Sequence, residues 1–124
     1  MELALTSDQE FFAETTQRFL EDKCPVESLR AARDDADGFD RAYWAQGAEL
    51  GWTSLLVREG DGGGSISGNG VRDMALVAFE FGRHAAPGPL LPTNVVAAAL
   101  SRSGTDEQKS KVLQGILSGE IVAS

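Results

Sequence analysis

The sequence has 124 residues and a formal net charge of −8, which results from 19 acidic and 11 basic residues. This acidic balance disfavours a broad nucleic-acid or anionic-membrane surface, because phosphate groups would be repelled. With 42% hydrophobic and 24% charged residues, the composition is typical of one soluble globular domain and excludes intrinsic disorder and a membrane span.

The first ten residues, MELALTSDQE, lack the basic start and long apolar run of a signal peptide, which predicts a cytoplasmic location. A capping box of Thr6 and Gln9 opens a first helix that is predicted to end near Asp22. Pro25 stops that helix and begins a short second one, through about Arg33. The apolar stripe of the first helix has helical spacing and consists of Phe11, Phe12, Thr15, Phe19 and Leu20.

A third helix is predicted after Asp40, whose side chain is a suitable N-cap. Gly51 fits the left-handed position that ends a helix, and Trp52 can then fold back onto it. The apolar residues of this helix are Tyr43, Trp44, Ala48 and Leu50. The next segment, WTSLLV (52–57), is short and apolar, and periodicity leaves open whether it is an isolated strand or an extended buried connector.

Six of the fourteen glycines lie in the stretch EGDGGGSISGNG, residues 59–70. The stretch lacks the lysine of a Walker loop and fails the G-x-G-x-x-G pattern of dinucleotide sites from every possible start. It is therefore predicted to let the backbone turn. With Asp61 in the loop and no lysine nearby in the sequence, it is not expected to hold the phosphates of a ligand.

The segment VRDMALVAFEFGRHAA (71–86) predicts a fourth helix that is apolar on nearly every side and therefore central and buried. One face consists of Val71, Met74, Ala75, Ala78 and Phe81. The prolines of PGP at 87–89 prevent helix formation, and a fifth helix is predicted from near Pro92 through NVVAAAL.

A second capping box, formed by Thr105 and Gln108, opens a sixth helix that ends before Gly119. Its apolar side consists of Val112, Leu113, Ile116 and Leu117. The short SRSG connection makes the last two helices antiparallel neighbours. We predict an all-α, up-and-down bundle of about six helices over residues 1–119. The final EIVAS (120–124) is predicted to begin a β-strand of a missing β-domain.

Few side chains offer chemistry of their own. Cys24, the single cysteine, is interpreted as a partly buried thiol, and His84, the single histidine, cannot build a metal site alone. The stretch RDDADGFD imitates part of a calcium loop but has Arg33 and Trp44 at two ligand positions. Glu80 lies among apolar residues, as a catalytic base would. Pairing with residues one turn later, Arg83 or His84, is the favoured interpretation.

Four segments, in order, carry a resemblance to a known family. They are LTSDQEFFAETTQRFLEDKCP, WAQGAELGWTSLLVREGDGGG, VRDMALVAFEFGRHAAPGPLL and SGTDEQKSKVLQGILSGEIVAS. Together they resemble the N-terminal helical domain of acyl-CoA dehydrogenases of a bacterial type. The loop DGGGSISGNG departs from the family, which usually has a bulkier residue before two glycines. The resemblance implies an FAD-dependent α,β-dehydrogenation of an acyl-CoA thioester, with the base and the flavin contacts outside this chain.

The resemblance further implies that this domain forms one wall of the acyl pocket. The implied substrate-binding residues are Leu90, Leu91, Asn94, Val95 and Ala98, and helix packing is the alternative for each of them. No catalytic, cofactor-binding or metal-binding residue is expected here. The implied partners are the acyl-CoA substrate, the remainder of the chain, further subunits of a homo- or hetero-oligomer and an electron-transferring flavoprotein. The alternatives are a non-catalytic helical interaction module and a degenerate partner subunit of a heteromeric dehydrogenase.

Overall fold

The computed structural model describes residues 3–123 and contains six helices. They are α1 (Ser7–Lys23), α2 (Val26–Ala32), α3 (Arg41–Glu49), α4 (Gly70–His84), α5 (Leu90–Ser103) and α6 (106–118). Within residues 3–123 there is no β-strand, and the predicted all-α fold is confirmed. No helix in this range is both long enough and apolar enough to cross a membrane.

Side chains before α1 and α3 satisfy the first free backbone N–H groups, as predicted. Thr6 Oγ1 accepts from the N–H of Gln9 at 3.1 Å, and Gln9 Oε1 accepts from the N–H of Thr6 at 3.0 Å. Asp40 accepts from the N–H of Ala42 at 2.8 Å. Phe11 departs from its predicted place in the apolar stripe and is 71% exposed. The buried face of α1 is formed instead by Gln9, Phe12, Thr16 and Leu20.

The predicted end of α3 at Gly51 is confirmed. Gly51 has a φ of +104° and donates its N–H to Ala48 O at 3.0 Å, while Trp52 donates to Gly47 O at 3.2 Å. This pair of bonds is the Schellman arrangement that closes many helices, and it folds Trp52 back onto α3. Residues 52–57 continue as successive turns, so neither the strand nor the extended connector forms.

Two clusters of buried side chains hold the helices together. The larger one surrounds Trp44 and Trp52 and joins α1, α3 and α4. The Trp52 ring meets Phe81 edge-on, with 4.9 Å between ring centroids. Cys24 lies in the same cluster, which confirms its predicted burial, and that burial raises the pKa of its thiol. The smaller cluster joins α5 to α6 through Val57, Ala97, Leu113 and Ile116.

One face of α4 is buried and the other is open. The buried residues are Asp73, Val77, Glu80 and Phe81. The exposed ones are Val71, Ala75, Ala78, Phe79, Gly82 and Arg83. Because α4 packs mainly against α1, its opposite side is left open in the described chain. The prediction that α4 is buried on every side is therefore wrong for residues 3–123. Three residues of its predicted apolar face, Val71, Ala75 and Ala78, are exposed.

A π-helical stretch, Lys109–Leu113, interrupts α6 between the α-helical turns Asp106–Gln108 and Gln114–Ser118. A π turn holds more residues than an α turn and shifts the register of the side chains around it. Leu113 and Ile116 are fully buried, as the periodicity predicted, whereas Val112 is exposed. The predicted capping box at Thr105 and the left-handed Gly119 after the helix are both confirmed.

Residues 120–123 lie against the bundle and pair as a strand with no other described segment. The N–H of Ile121 donates to Gly115 O at 3.0 Å, and Thr93 Oγ1 donates to Ala123 O at 3.3 Å. Ser124 lies outside the described residues. A strand that begins in 120–124 and joins another domain stays a prediction.

Ala85, just after α4, has a left-handed backbone with φ +48°. This conformation costs an L-residue with a Cβ about 1 kcal/mol or more and costs glycine little. Ala85→Gly is therefore expected to raise the free energy of unfolding by about 1 kcal/mol, as measured by urea denaturation. Ala78→Gly, on the exposed side of α4, is the control and should lower it by about 1 kcal/mol. A loss of stability in Ala85→Gly would contradict the strain argument.

Candidate functional site

The five residues implied as substrate-binding lie within the first nine residues of α5, directly after the PGP segment. The helix begins at Leu90, two residues earlier than predicted. Gly88 before it has a φ of +120°, and a Cβ added there would lie 2.9 Å from the Trp44 ring. This close approach of the backbone to a core tryptophan fixes where α5 starts.

α5 presents these residues on two different faces. Leu90 is buried in the larger core cluster and Asn94 is fully buried. Leu91 and Val95 are 59% and 56% exposed, and Ala98 is half-buried. Positions 91, 95 and 98 follow one another at helical spacing and so share one side. We call these three residues the α5 outer face. It is an apolar strip that can contact an apolar ligand or another polypeptide.

Asn94 connects α5 to the buried turn after α3. Its Nδ2 donates to Trp52 O at 2.7 Å and to Leu90 O at 2.9 Å. A buried carbonyl without a hydrogen-bond donor lowers stability by about 1–3 kcal/mol. The Asn94 amide therefore supplies the donor that the buried Trp52 carbonyl needs. Asn94 therefore positions α5, and in the described structure it does not line an open surface.

Glu80 is buried and paired with the two residues predicted for it. Its carboxylate lies 3.4 Å from Arg83 Nη1 and 3.7 Å from His84 Nδ1. The same His84 nitrogen lies 2.9 Å from the Glu80 backbone carbonyl. The favoured interpretation of Glu80 as one partner of an ion pair near the end of α4 is confirmed.

The glycine-rich loop turns where its glycines permit it. Gly62, Gly64 and Gly68 have positive φ angles, which glycine adopts at little cost. At Gly63 and Gly70 an added Cβ would overlap Val57 and the Leu55 carbonyl, respectively. The loop therefore lies tightly on residues 55–57 and returns the chain to the start of α4.

Asp73 anchors this loop to α1 and α4. Its carboxylate is fully buried and accepts from Gln9 Nε2 at 3.0 Å, from Ser67 Oγ at 2.7 Å and from the Ser67 N–H at 2.9 Å. Burial alone would raise the pKa of Asp73, but these hydrogen bonds outweigh it and the pKa is lowered. Sequence analysis assigned Gln9 only to its capping box, since the contact spans 64 positions.

The lowered pKa of Asp73 predicts that acid destabilises the fold. The folded state holds the carboxylate proton less tightly than the unfolded state, so this stabilisation is present above the unfolded pKa of about 4. It is lost as the pH falls through the lower folded value. Asp73→Asn should lower the free energy of unfolding, measured by urea denaturation, by about 2 kcal/mol at pH 7. It should also make that free energy depend less on pH below about 5. Asp34→Asn, at an exposed position, should change neither.

Asp61 fixes the other end of the loop to α5 and α6. It accepts from Ser101 Oγ at 2.7 Å and lies 3.2 Å from Lys109 Nζ. The Ser101 hydrogen bond, with a smaller contribution from Lys109, holds the pKa of Asp61 below its ordinary value. No lysine lies near the loop in the sequence, but the fold brings Lys109 of α6 to it.

Comparison with known proteins gives one consistent result. The family described as "Acyl-CoA dehydrogenase, N-terminal domain" matches residues 6–120. The acyl-CoA dehydrogenase IpdE2 of Mycolicibacterium smegmatis is 29% identical over 119 residues, which cover 95% of this chain and 37% of that protein.

Two solved structures share the fold. A variant of the Tcur3481-Tcur3483 steroid ACAD has a TM-score of 0.78 and 28% identity, over 92% of this chain and 30% of that one. The ChsE4-ChsE5 complex from Mycobacterium tuberculosis has a TM-score of 0.77 and 28% identity, over 98% of this chain and 30% of that one. This chain thus spans about a third of the length of each relative.

Proposed function

Because this chain belongs to the acyl-CoA dehydrogenase family, as its N-terminal domain, we propose that it forms one wall of the acyl pocket in a flavin-dependent dehydrogenase. The observation that carries the proposal is the match over residues 6–120, supported by a fold shared with a TM-score of 0.78. The reaction would be the α,β-dehydrogenation of an acyl-CoA thioester. The electron acceptor would be an electron-transferring flavoprotein, and the location would be cytoplasmic.

The α5 outer face suits an acyl group better than a flavin. Leu91, Val95 and Ala98 offer apolar surface and no hydrogen-bond donor for the polar edge of an isoalloxazine. Trp44 and Trp52, which could stack on such a ring, are fully buried. The described residues therefore do not fit FAD, and the cofactor would be bound by other parts of the full protein.

This chain would contribute to the reaction by shaping the pocket that receives the acyl group. Each methylene that an acyl group buries on the outer face contributes about 0.8 kcal/mol to binding. Leu90 and Asn94 act indirectly, because they attach α5 to the core and to Trp52. The small side chains of Val95 and Ala98 leave room for a bulky acyl group, and one solved relative is described as a steroid ACAD.

A two-component assembly is part of the proposal. Both solved relatives are named for two components, Tcur3481-Tcur3483 and ChsE4-ChsE5. The alternative function is a degenerate partner subunit that has lost flavin binding. Flavin absorbance of the full-length protein, purified alone and with its partner, distinguishes the two. If the protein itself is yellow and oxidises acyl-CoA, the dehydrogenase function is supported. If the partner alone binds the flavin and has the activity, the degenerate-subunit alternative is supported.

Val95→Trp tests the role of the outer face. The larger ring should fill the space for the acyl group and raise KM of the assembled enzyme for a bulky acyl-CoA by about tenfold, equivalent to about 1.4 kcal/mol. Val26→Trp is the matched control, because Val26 is 61% exposed on α2. Both variants should unfold at the parent urea concentration. An unchanged KM in Val95→Trp for short and bulky substrates alike would refute the acyl-wall assignment.

A further inference from the structure

One side of α4 is apolar and uncovered in the described structure. Six residues of this helix are exposed, and five of them carry no polar side chain. The two largest, Val71 and Phe79, are 67% and 63% exposed. The five share one side of the helix, because each lies three or four residues from another member. We call them the α4 outer face: Val71, Ala75, Ala78, Phe79 and Gly82.

No charged side chain belongs to the α4 outer face. The sixth exposed residue, Arg83, lies at its edge, where the guanidinium is 3.4 Å from Glu80 Oε1 and 6.0 Å from the centroid of the Phe79 ring. The acidic residues of α4, Asp73 and Glu80, are buried in the fold. In a chain with a net charge of −8, two copies can therefore meet at this face without bringing acidic side chains together.

The spacing of the α4 outer face makes it complementary to itself. If two copies of α4 lie antiparallel, with a twofold axis beside positions 76 and 77, Ala75 lies opposite Ala78 of the partner subunit. Val71 lies opposite Gly82 of the partner subunit, and the twofold axis repeats both contacts. A larger side chain thus meets the smallest residue at each end, and alanine meets alanine in the middle. Such pairs allow the helix axes to approach to about 8 Å, the close end of the usual range.

We propose that the α4 outer face is a homodimer interface, in which α4 packs antiparallel against α4 of a second copy. The contact would remove from water the exposed parts of Val71 and Phe79. Stable complexes usually use about 20–30 residues a side, so five residues of one helix give a weak dimer. We expect a Kd on the order of 100 µM, which leaves the chain monomeric in low-micromolar denaturation samples. The inference does not rest on the proposed dehydrogenase function.

Sedimentation equilibrium of the 124-residue chain between about 10 and 500 µM tests the proposal. The parent should change from monomer to dimer over this range. Salt should strengthen the association, because it screens the repulsion between two chains that each carry −8. Ala75→Glu should raise Kd at least about tenfold, since two carboxylates would meet near the twofold axis. Val26→Glu adds the same charge at an exposed position on α2 and should change Kd less than about twofold.

A mixing experiment tests the antiparallel pairing itself. Ala78→Lys should also weaken self-association, because it places two ammonium groups near the axis. An equimolar mixture of Ala75→Glu and Ala78→Lys should dimerise again, since the new carboxylate lies opposite the new ammonium group. A mixture of Val26→Glu and Ala78→Lys, the matched control, should form no such heterodimer with recovered affinity.

The urea midpoint of each variant, measured at low-micromolar concentration, should match that of the parent, because glutamate and lysine are good helix formers at exposed positions. A parent that stays monomeric at about 500 µM would overturn the dimer. Equal weakening by Ala75→Glu and Val26→Glu would show a general charge effect and overturn the assignment to α4. Failure of the Ala75→Glu and Ala78→Lys mixture to associate would overturn the antiparallel arrangement.

Discussion

Trp52→Ala is expected to lower the free energy of unfolding by about 4 kcal/mol, since a fully buried tryptophan leaves a large cavity. The ring contacts Phe81 and Phe19 edge-on at 4.9 and 5.3 Å between centroids. Its Nε1 donates to Thr16 Oγ1 at 3.3 Å, and alanine would leave that hydroxyl without this donor. One side chain thus joins α1 and α4 to the turn after α3.

Urea denaturation followed by far-UV circular dichroism measures this loss. A domain of this size has about 5–15 kcal/mol of stability, so the variant should unfold at a much lower urea concentration or be unfolded in buffer. Trp52→Phe keeps a ring and should lose less. Phe79→Ala, at a side chain 63% exposed, should cost less than about 1 kcal/mol. Equal losses at positions 52 and 79 would contradict the central place of Trp52.

The parts of the fold that sequence analysis predicted well are those fixed by neighbouring residues. The capping boxes at Thr6 and Thr105, the N-cap at Asp40 and the turn at Gly51 each need contacts within a few positions. These signals placed the helix ends. The open side of α4 was not predictable in this way, because an apolar helix can face a neighbour or solvent. Its exposure depends on which elements pack against it.

The candidate sites were predicted less completely, for the same reason. Spacing and family resemblance marked residues 90–98 but did not separate the outward Leu91 and Val95 from the inward Leu90 and Asn94. The contacts of Asp61 with Lys109 and of Asp73 with Gln9 join residues 48 and 64 positions apart, and no local pattern encodes them. Glu80 was predicted correctly because its partners lie one turn away.

Gly47→Ala is expected to lower the free energy of unfolding by about 3 kcal/mol, although alanine is the better helix former. A Cβ at position 47 would overlap the six-membered ring of Trp52. The ring cannot move away at little energetic cost, because the backbone of Trp52 is held on both sides. The Trp52 N–H donates to Gly47 O at 3.2 Å, and the Trp52 carbonyl accepts from Asn94 Nδ2 at 2.7 Å. Relief therefore requires α3 to separate from the turn that follows it.

Gly82→Ala is the matched control, because it makes the same substitution in α4 at an exposed position with nothing within 4 Å of the added Cβ. It should raise stability by about 0.5–1 kcal/mol through helix propensity alone. The two variants are predicted to shift the urea midpoint in opposite directions. A stabilising effect of Gly47→Ala would contradict the packing of the Trp52 ring on α3.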